Sequence, residues 1–163
     1  INKLDAELYY YDSDAVGEWA EVSAFTSVFK PLTVVEPGYV EIAKLKVSNA
    51  GTEDFDYNLT VDITDETEGK NLNGKSFKLS DYIYLGAVDG DVELDRISAV
   101  DAVQDNAKPI SKGFIKIDSI KASGNDQIVT LVLYMPASVG NEANCANESD
   151  APELSLSVNL IAK

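Results

Sequence analysis

The sequence predicts an all-β fold, an antiparallel β-sandwich in one domain over residues 1–163, with a small inserted loop and helix lobe. Three observations carry that prediction. Apolar and polar residues alternate with period two through most of the chain, which sets one face of each strand on a core and the other in water. Turn residues recur at close spacing and divide the chain into about seven or eight short strands, the pattern of a sandwich. Apolar residues make up 45% of the chain, ordinary for a globular protein. No apolar run approaches the roughly 18 residues that a membrane span needs.

The first segment places Leu4, Ala6, Leu8 and Tyr10 on one face and Lys3, Asp5, Glu7 and Tyr9 on the other. Asp12-Ser13-Asp14 breaks it, and Glu18-Trp19-Ala20-Glu21-Val22 is the expected return arm of a hairpin. Pro31 and Pro37-Gly38 mark turns. In the next strand Ala43, Leu45 and Val47 oppose Lys44, Lys46 and Ser48, and Asn49-Ala50-Gly51-Thr52 ends it. Tyr57, Leu59, Val61 and Ile63 then alternate with Asn58, Thr60, Asp62 and Thr64, the cleanest half-buried strand of the chain.

Residues 64–110 are expected to form an irregular excursion. It comprises a polar loop from Thr64 to Ser76, a strand within Asp81–Val88, an acidic turn over Asp89–Asp95 and a short helix over 96–104. Ile97, Val100 and Val103, three residues apart, give that helix its apolar side. Strands resume at Phe114–Ile120, and Ser123-Gly124-Asn125-Asp126 turns the chain. Ile128–Met135 is apolar on both faces and is expected to be a central strand. After a polar loop over 137–152, the last strand points Leu154, Leu156, Val158 and Leu160 inward.

Charge and absences narrow the function. With 28 acidic and 13 basic residues the net charge is −15, which repels phosphate backbones and anionic lipid, so no nucleic-acid partner is expected. There is no histidine, which removes the commonest general base and zinc ligand. The single cysteine, Cys145, lies in a polar loop and has no partner for an intrachain disulfide. The sequence opens on Ile1 without a visible signal peptide, and an initial segment is expected to have been removed or left out.

Val35-Glu36-Pro37-Gly38-Tyr39-Val40-Glu41, continuing through Lys46-Val47-Ser48-Asn49-Ala50-Gly51-Thr52, resembles the "EPGY…K-V-N-x-G-T" segment of the TasA/camelysin family. Leu133-Tyr134-Met135-Pro136-Ala137-Ser138-Val139-Gly140-Asn141 is similar to its "L-x-M-P-x-S-x-G-N" run. Leu4–Leu8 and Leu154–Ala162 resemble its early and closing strands. These blocks keep the family's order across nearly the whole chain. The resemblance implies a secreted, jelly-roll-like sandwich that assembles with copies of itself into an extracellular matrix or pilus-like fibre, an N-terminal strand of one subunit completing a sheet of the next. On that reading Leu4, Ala6, Leu8 and Tyr10 are the donor residues, and Leu154, Leu156, Val158 and Leu160 line the acceptor edge. Members of the camelysin type have been labelled metallopeptidases, but this chain lacks any H-E-x-x-H motif, and neither catalysis nor catalytic residues are expected.

Other residue patterns stand apart from the resemblance. Asp89, Asp91, Glu93 and Asp95 repeat carboxylates at every second position, a candidate calcium ligand set that lacks the glycine and twelfth-position acid of an EF-hand. No other cofactor is expected. Eight tyrosines, with Tyr9 and Tyr11 on the face away from the core, suit subunit contacts. The alternative function they also suit is a carbohydrate-binding or adhesion module with Trp19 as platform, and a matrix polysaccharide is accordingly a candidate partner. Asn58-Leu59-Thr60 and Asn147-Glu148-Ser149 match the glycan-acceptor pattern.

Overall fold

The computed structural model describes residues 4–12, 17–23, 26–33, 35–145 and 147–163. Its strands are β1 (Ala6–Asp12), β2 (Glu18–Glu21), β3 (Val40–Asn49), β4 (Phe55–Thr67), β5 (Gly69–Lys70) and β6 (Ser76–Phe77). They continue with β7 (Tyr84–Asp89), β8 (Lys108–Pro109), β9 (Phe114–Ile120), β10 (Asn125–Tyr134) and β11 (Glu153–Ala162). One helix, α1 (Arg96–Val103), lies between β7 and β8. The result is an all-β, antiparallel sandwich. A six-stranded sheet in the order β2-β1-β3-β10-β7-β8 faces a three-stranded sheet in the order β11-β4-β9, and β5 and β6 form a separate hairpin.

The period-two pattern explains the core. Leu45 and Val47 of β3 and Leu131 and Leu133 of β10 meet Leu59 and Val61 of β4 and Leu154 of β11, all buried between the sheets. The β3–β10 ladder runs through ten pairs, from Asn49 opposite Asn125 to Val40 opposite Tyr134. β10 is apolar on both faces because both are covered. Leu131 and Leu133 face the other sheet, while Val132 and Tyr134 pack under Ala99 and Val103 of α1.

The stretch 64–110 is more integrated than the expected excursion. β4 continues to Thr67 because Asp65, Glu66 and Thr67 pair with Ser155, Leu154 and Glu153. Backbone pairing, rather than an apolar face, extends the strand there. β7 enters the large sheet beside β10. The helix forms where expected, with Asp95 capping it in a reciprocal arrangement with Ser98. Its buried side is Ala99 and Val103, however, and Ile97 is 80% exposed. The i,i+4 spacing of 99 and 103 sets the docking face, where a small residue lets the helix approach the sheet. Gly86 of β7 belongs to the same approach: a Cβ there would stand 2.5 Å from Cβ of Val103.

Candidate functional site: the open sheet edges

Both outer strands of the small sheet, β11 and β9, lack a second partner strand among the described residues. Such edges offer unpaired amides and carbonyls to an added strand. The orientation of β11 follows from its ends. Leu154 bonds away from β4, exchanging both backbone hydrogen bonds with Leu32 at 2.8 and 2.9 Å. The Lys163 amide donates toward β4, to the Asp56 carbonyl at 2.8 Å. Alternation along the strand therefore turns the amides and carbonyls of Leu156, Val158, Leu160 and Ala162 outward. Leu32 covers only Leu154, the outward position that precedes these four.

The four residues expected at the acceptor edge lie together on the inward face of β11. Leu154, Leu156 and Val158 are buried and Leu160 is half-buried. The expected donor residues lie in the subunit's own large sheet. Ala6 to Tyr10 pair with Asn49 to Leu45 of β3, and Tyr9 to Asp12 pair with Glu21 to Glu18 of β2. Leu8 is buried in the core, Ala6 and Tyr10 pack against it, and Leu4 is 49% exposed. Of the break expected at Asp12-Ser13-Asp14, Asp12 is the last residue of β1 and Ser13 and Asp14 lie outside the described residues.

On the β8 side of the large sheet, the stretch of β7 beyond β8 is blunted. The Asn106 side chain grips Ala87 of β7, its Oδ1 accepting from the Ala87 amide and its Nδ2 donating to the Ala87 carbonyl, both at 2.9 Å. A side-chain amide thus occupies the place a strand would take. Nothing local in the sequence announces this clamp, because the partners lie nineteen residues apart.

The four acids of the candidate calcium run are drawn apart. Asp89 pairs with Lys116 at 3.1 Å, Lys44 bridges Asp91 and Glu93, and Asp95 caps α1. Among the described residues no group of three or more such side chains could hold a metal ion. Lysines neutralise the repulsion that a cation would otherwise relieve. Burial works against the Lys116 charge, but hydrogen bonds to Asp118 and Asp89 outweigh it and hold the ammonium above the ordinary lysine range.

On the outer face of the large sheet, the Tyr11 and Trp19 rings meet edge-on with centroids 5.6 Å apart. The Lys46 ammonium lies 5.0 Å from the Tyr9 ring and 4.9 Å from Trp19. Tyr9 donates to Glu7, which with burial pushes its hydroxyl pKa up to about 12. Of the two glycan-acceptor asparagines, Asn147 is exposed, while Asn58 is half-buried with its Oδ1 unpartnered. Among the described residues no helix is long and apolar enough to cross a membrane.

No family model, curated protein or solved structure matches the chain.

Proposed function

We propose that this chain is a structural subunit of an extracellular fibre, in the manner of the TasA/camelysin proteins that its motifs resemble. Copies join head to tail, an N-terminal strand of one adding to an open sheet edge of the next. The observation that carries this reading is the outer edge of β11. Four successive outward positions, Leu156 to Ala162, present backbone groups without a strand partner among the described residues. An incoming strand would satisfy them, and its alternate side chains would complete the apolar rim that Leu160 begins. Each large apolar side chain fully buried on docking contributes roughly 1.5–3 kcal/mol before ordering costs. A head-to-tail contact that does not close on itself grows into a filament.

Because β1 is paired within its own subunit, donation requires β1 to leave β3 and exchange one copy's sheet for another's, as in strand swapping. The Leu8 side chain is part of the subunit's own core. Leu8→Lys would therefore unfold the subunit as readily as block assembly. A reversible lock separates the two effects. Glu7 and Ser48 are direct partners in the β1–β3 ladder, at a spacing a disulfide spans. In a Cys145→Ser background, Glu7→Cys with Ser48→Cys should give folded monomers when oxidised and filaments by electron microscopy once reduced. Filaments growing equally well from the oxidised protein would remove β1 as donor.

A further inference from the structure

The other open edge of the small sheet, β9, differs from β11 in its backbone and in its side chains. The Asp56 carbonyl accepts from Lys163, so alternation along β4 turns Phe55, Tyr57, Leu59 and Val61 toward β9. Their partners there are Ile120, Asp118, Lys116 and Phe114. The amides and carbonyls of Ile115, Ile117 and Ser119 therefore point away from the sheet. Ser119 is partly engaged: its amide donates to the Asp118 side chain at 2.8 Å, and its carbonyl accepts from Gln127 at 2.7 Å. Ile115 and Ile117 have no backbone partner on that side among the described residues.

The same two residues expose large apolar side chains on the outer face of the sheet, Ile115 at 56% and Ile117 at 70%. Their cross-strand neighbours on that face are Thr60 and Asn58. These carry no charge, so covering the isoleucines desolvates none there, in a chain of −15. Lys116 and Asp118 lie on the inner face, joined at 2.9 Å, and Lys116 also reaches Asp89 at 3.1 Å.

An edge strand that pairs antiparallel with the same strand of a second copy does so about a two-fold axis. Charge selects the register. With the axis at Ile117, each Lys116 stands opposite Asp118 of the second copy, so lysine and aspartate alternate across the join. Ile117 then faces Ile117, with Ile115 on the diagonal, and Ser119 keeps a carbonyl lone pair for the amide of Ile115 opposite. An axis at residue 116 would set two lysines face to face, which is unfavourable.

We infer that β9 is a self-recognition edge: two copies pair β9 against β9 about Ile117, joining their small sheets into one continuous sheet. The fibre reading uses β11 and leaves β9 free, so either contact can fail without the other.

In a Cys145→Ser background, Ile117→Cys would bring two thiols opposite each other with Cα atoms about 5.5 Å apart, within disulfide reach. Asn159→Cys, exposed on β11 at the far side of the same sheet, is the control. Both proteins would be oxidised with glutathione disulfide in sodium chloride at about 0.15 M, where the field of the net charge reaches only about 8 Å. Covalent dimer is read on non-reducing gels, which report the adjacent residues whether or not filaments are present. Ile117→Cys should dimerise at least tenfold faster than Asn159→Cys. Adding Ile115→Lys, an exposed position, should slow it tenfold or more with thermal unfolding unchanged. Equal rates for the two cysteines would overturn the inference, as would a rate that Ile115→Lys leaves intact.

Discussion

Asn49 is polar and completely buried, at the end of β3, and its side chain is fully employed. Its Nδ2 donates to the Glu53 carbonyl at 2.7 Å, and its Oδ1 accepts from the Gly51 amide at 3.1 Å. Its own carbonyl accepts from Gly124 at 2.8 Å, tying the β3–β4 turn to the β9–β10 turn. Asn49→Ala would strand these buried groups, and a loss of about 2 kcal/mol is expected in urea unfolding. Asn58 is the opposite case: its buried Oδ1 has no partner, so Asn58→Val should leave stability unchanged or raise it. Asp118 is held below the usual carboxylate range by hydrogen bonds from Lys116 and the Ser119 amide. Asp54 is held low likewise, by the Ala122 amide and Lys121. Depressed folded-state values stabilise the fold above the unfolded carboxylate pKa, about 4. That contribution drains as pH falls through the folded values. The melting temperature should therefore drop on acidification below about pH 4, less steeply in Asp118→Asn.

Single elements decide packing and, on the proposed fibre reading, assembly. α1 closes over β10 and β7 only because Gly86 leaves room for Val103 and Asn106. Gly86→Ala should lift the helix and cost about 1–3 kcal/mol, the range for overpacking, seen as a lower unfolding midpoint. At the β11 edge, Leu160→Pro removes an outward amide that bonds nothing in β4, so the monomer's sheet is spared. The added strand loses that hydrogen bond. Filament yield should fall sharply, while the monomer stays folded with a melting temperature lowered only by the loss of the half-buried Leu160 side chain. An unchanged yield would place the contact on another edge, β9 being the remaining one in that sheet.

At the scale of the whole molecule, charge would oppose the assembly proposed above. Copies that each carry −15 repel one another until salt shortens the range of the field to about 10 Å at 0.1 M. Filament growth should accelerate as sodium chloride rises from low millimolar to 0.15 M. Calcium should do no more than an ionic-strength match, because the acids of the 89–95 run are already bound by Lys44, Lys116 and α1.

The longer strands, the central place of β10, the helix over 96–103 and the turn at Asn49 are legible from local pattern, since period-two burial and turn chemistry are properties of adjacent residues. What the tertiary structure alone decided are matters of distant partners. The polar end of β4 became strand because β11 pairs with it. The acidic run became a set of separate ion pairs because Lys44 and Lys116 reach it from β3 and β9. Ile97 lost its place on the helix's buried side to Ala99. Alternation tells which face of a strand is buried. It does not tell which strand lies beside it or which edge stays open, because that choice is settled by contacts between residues far apart in the chain.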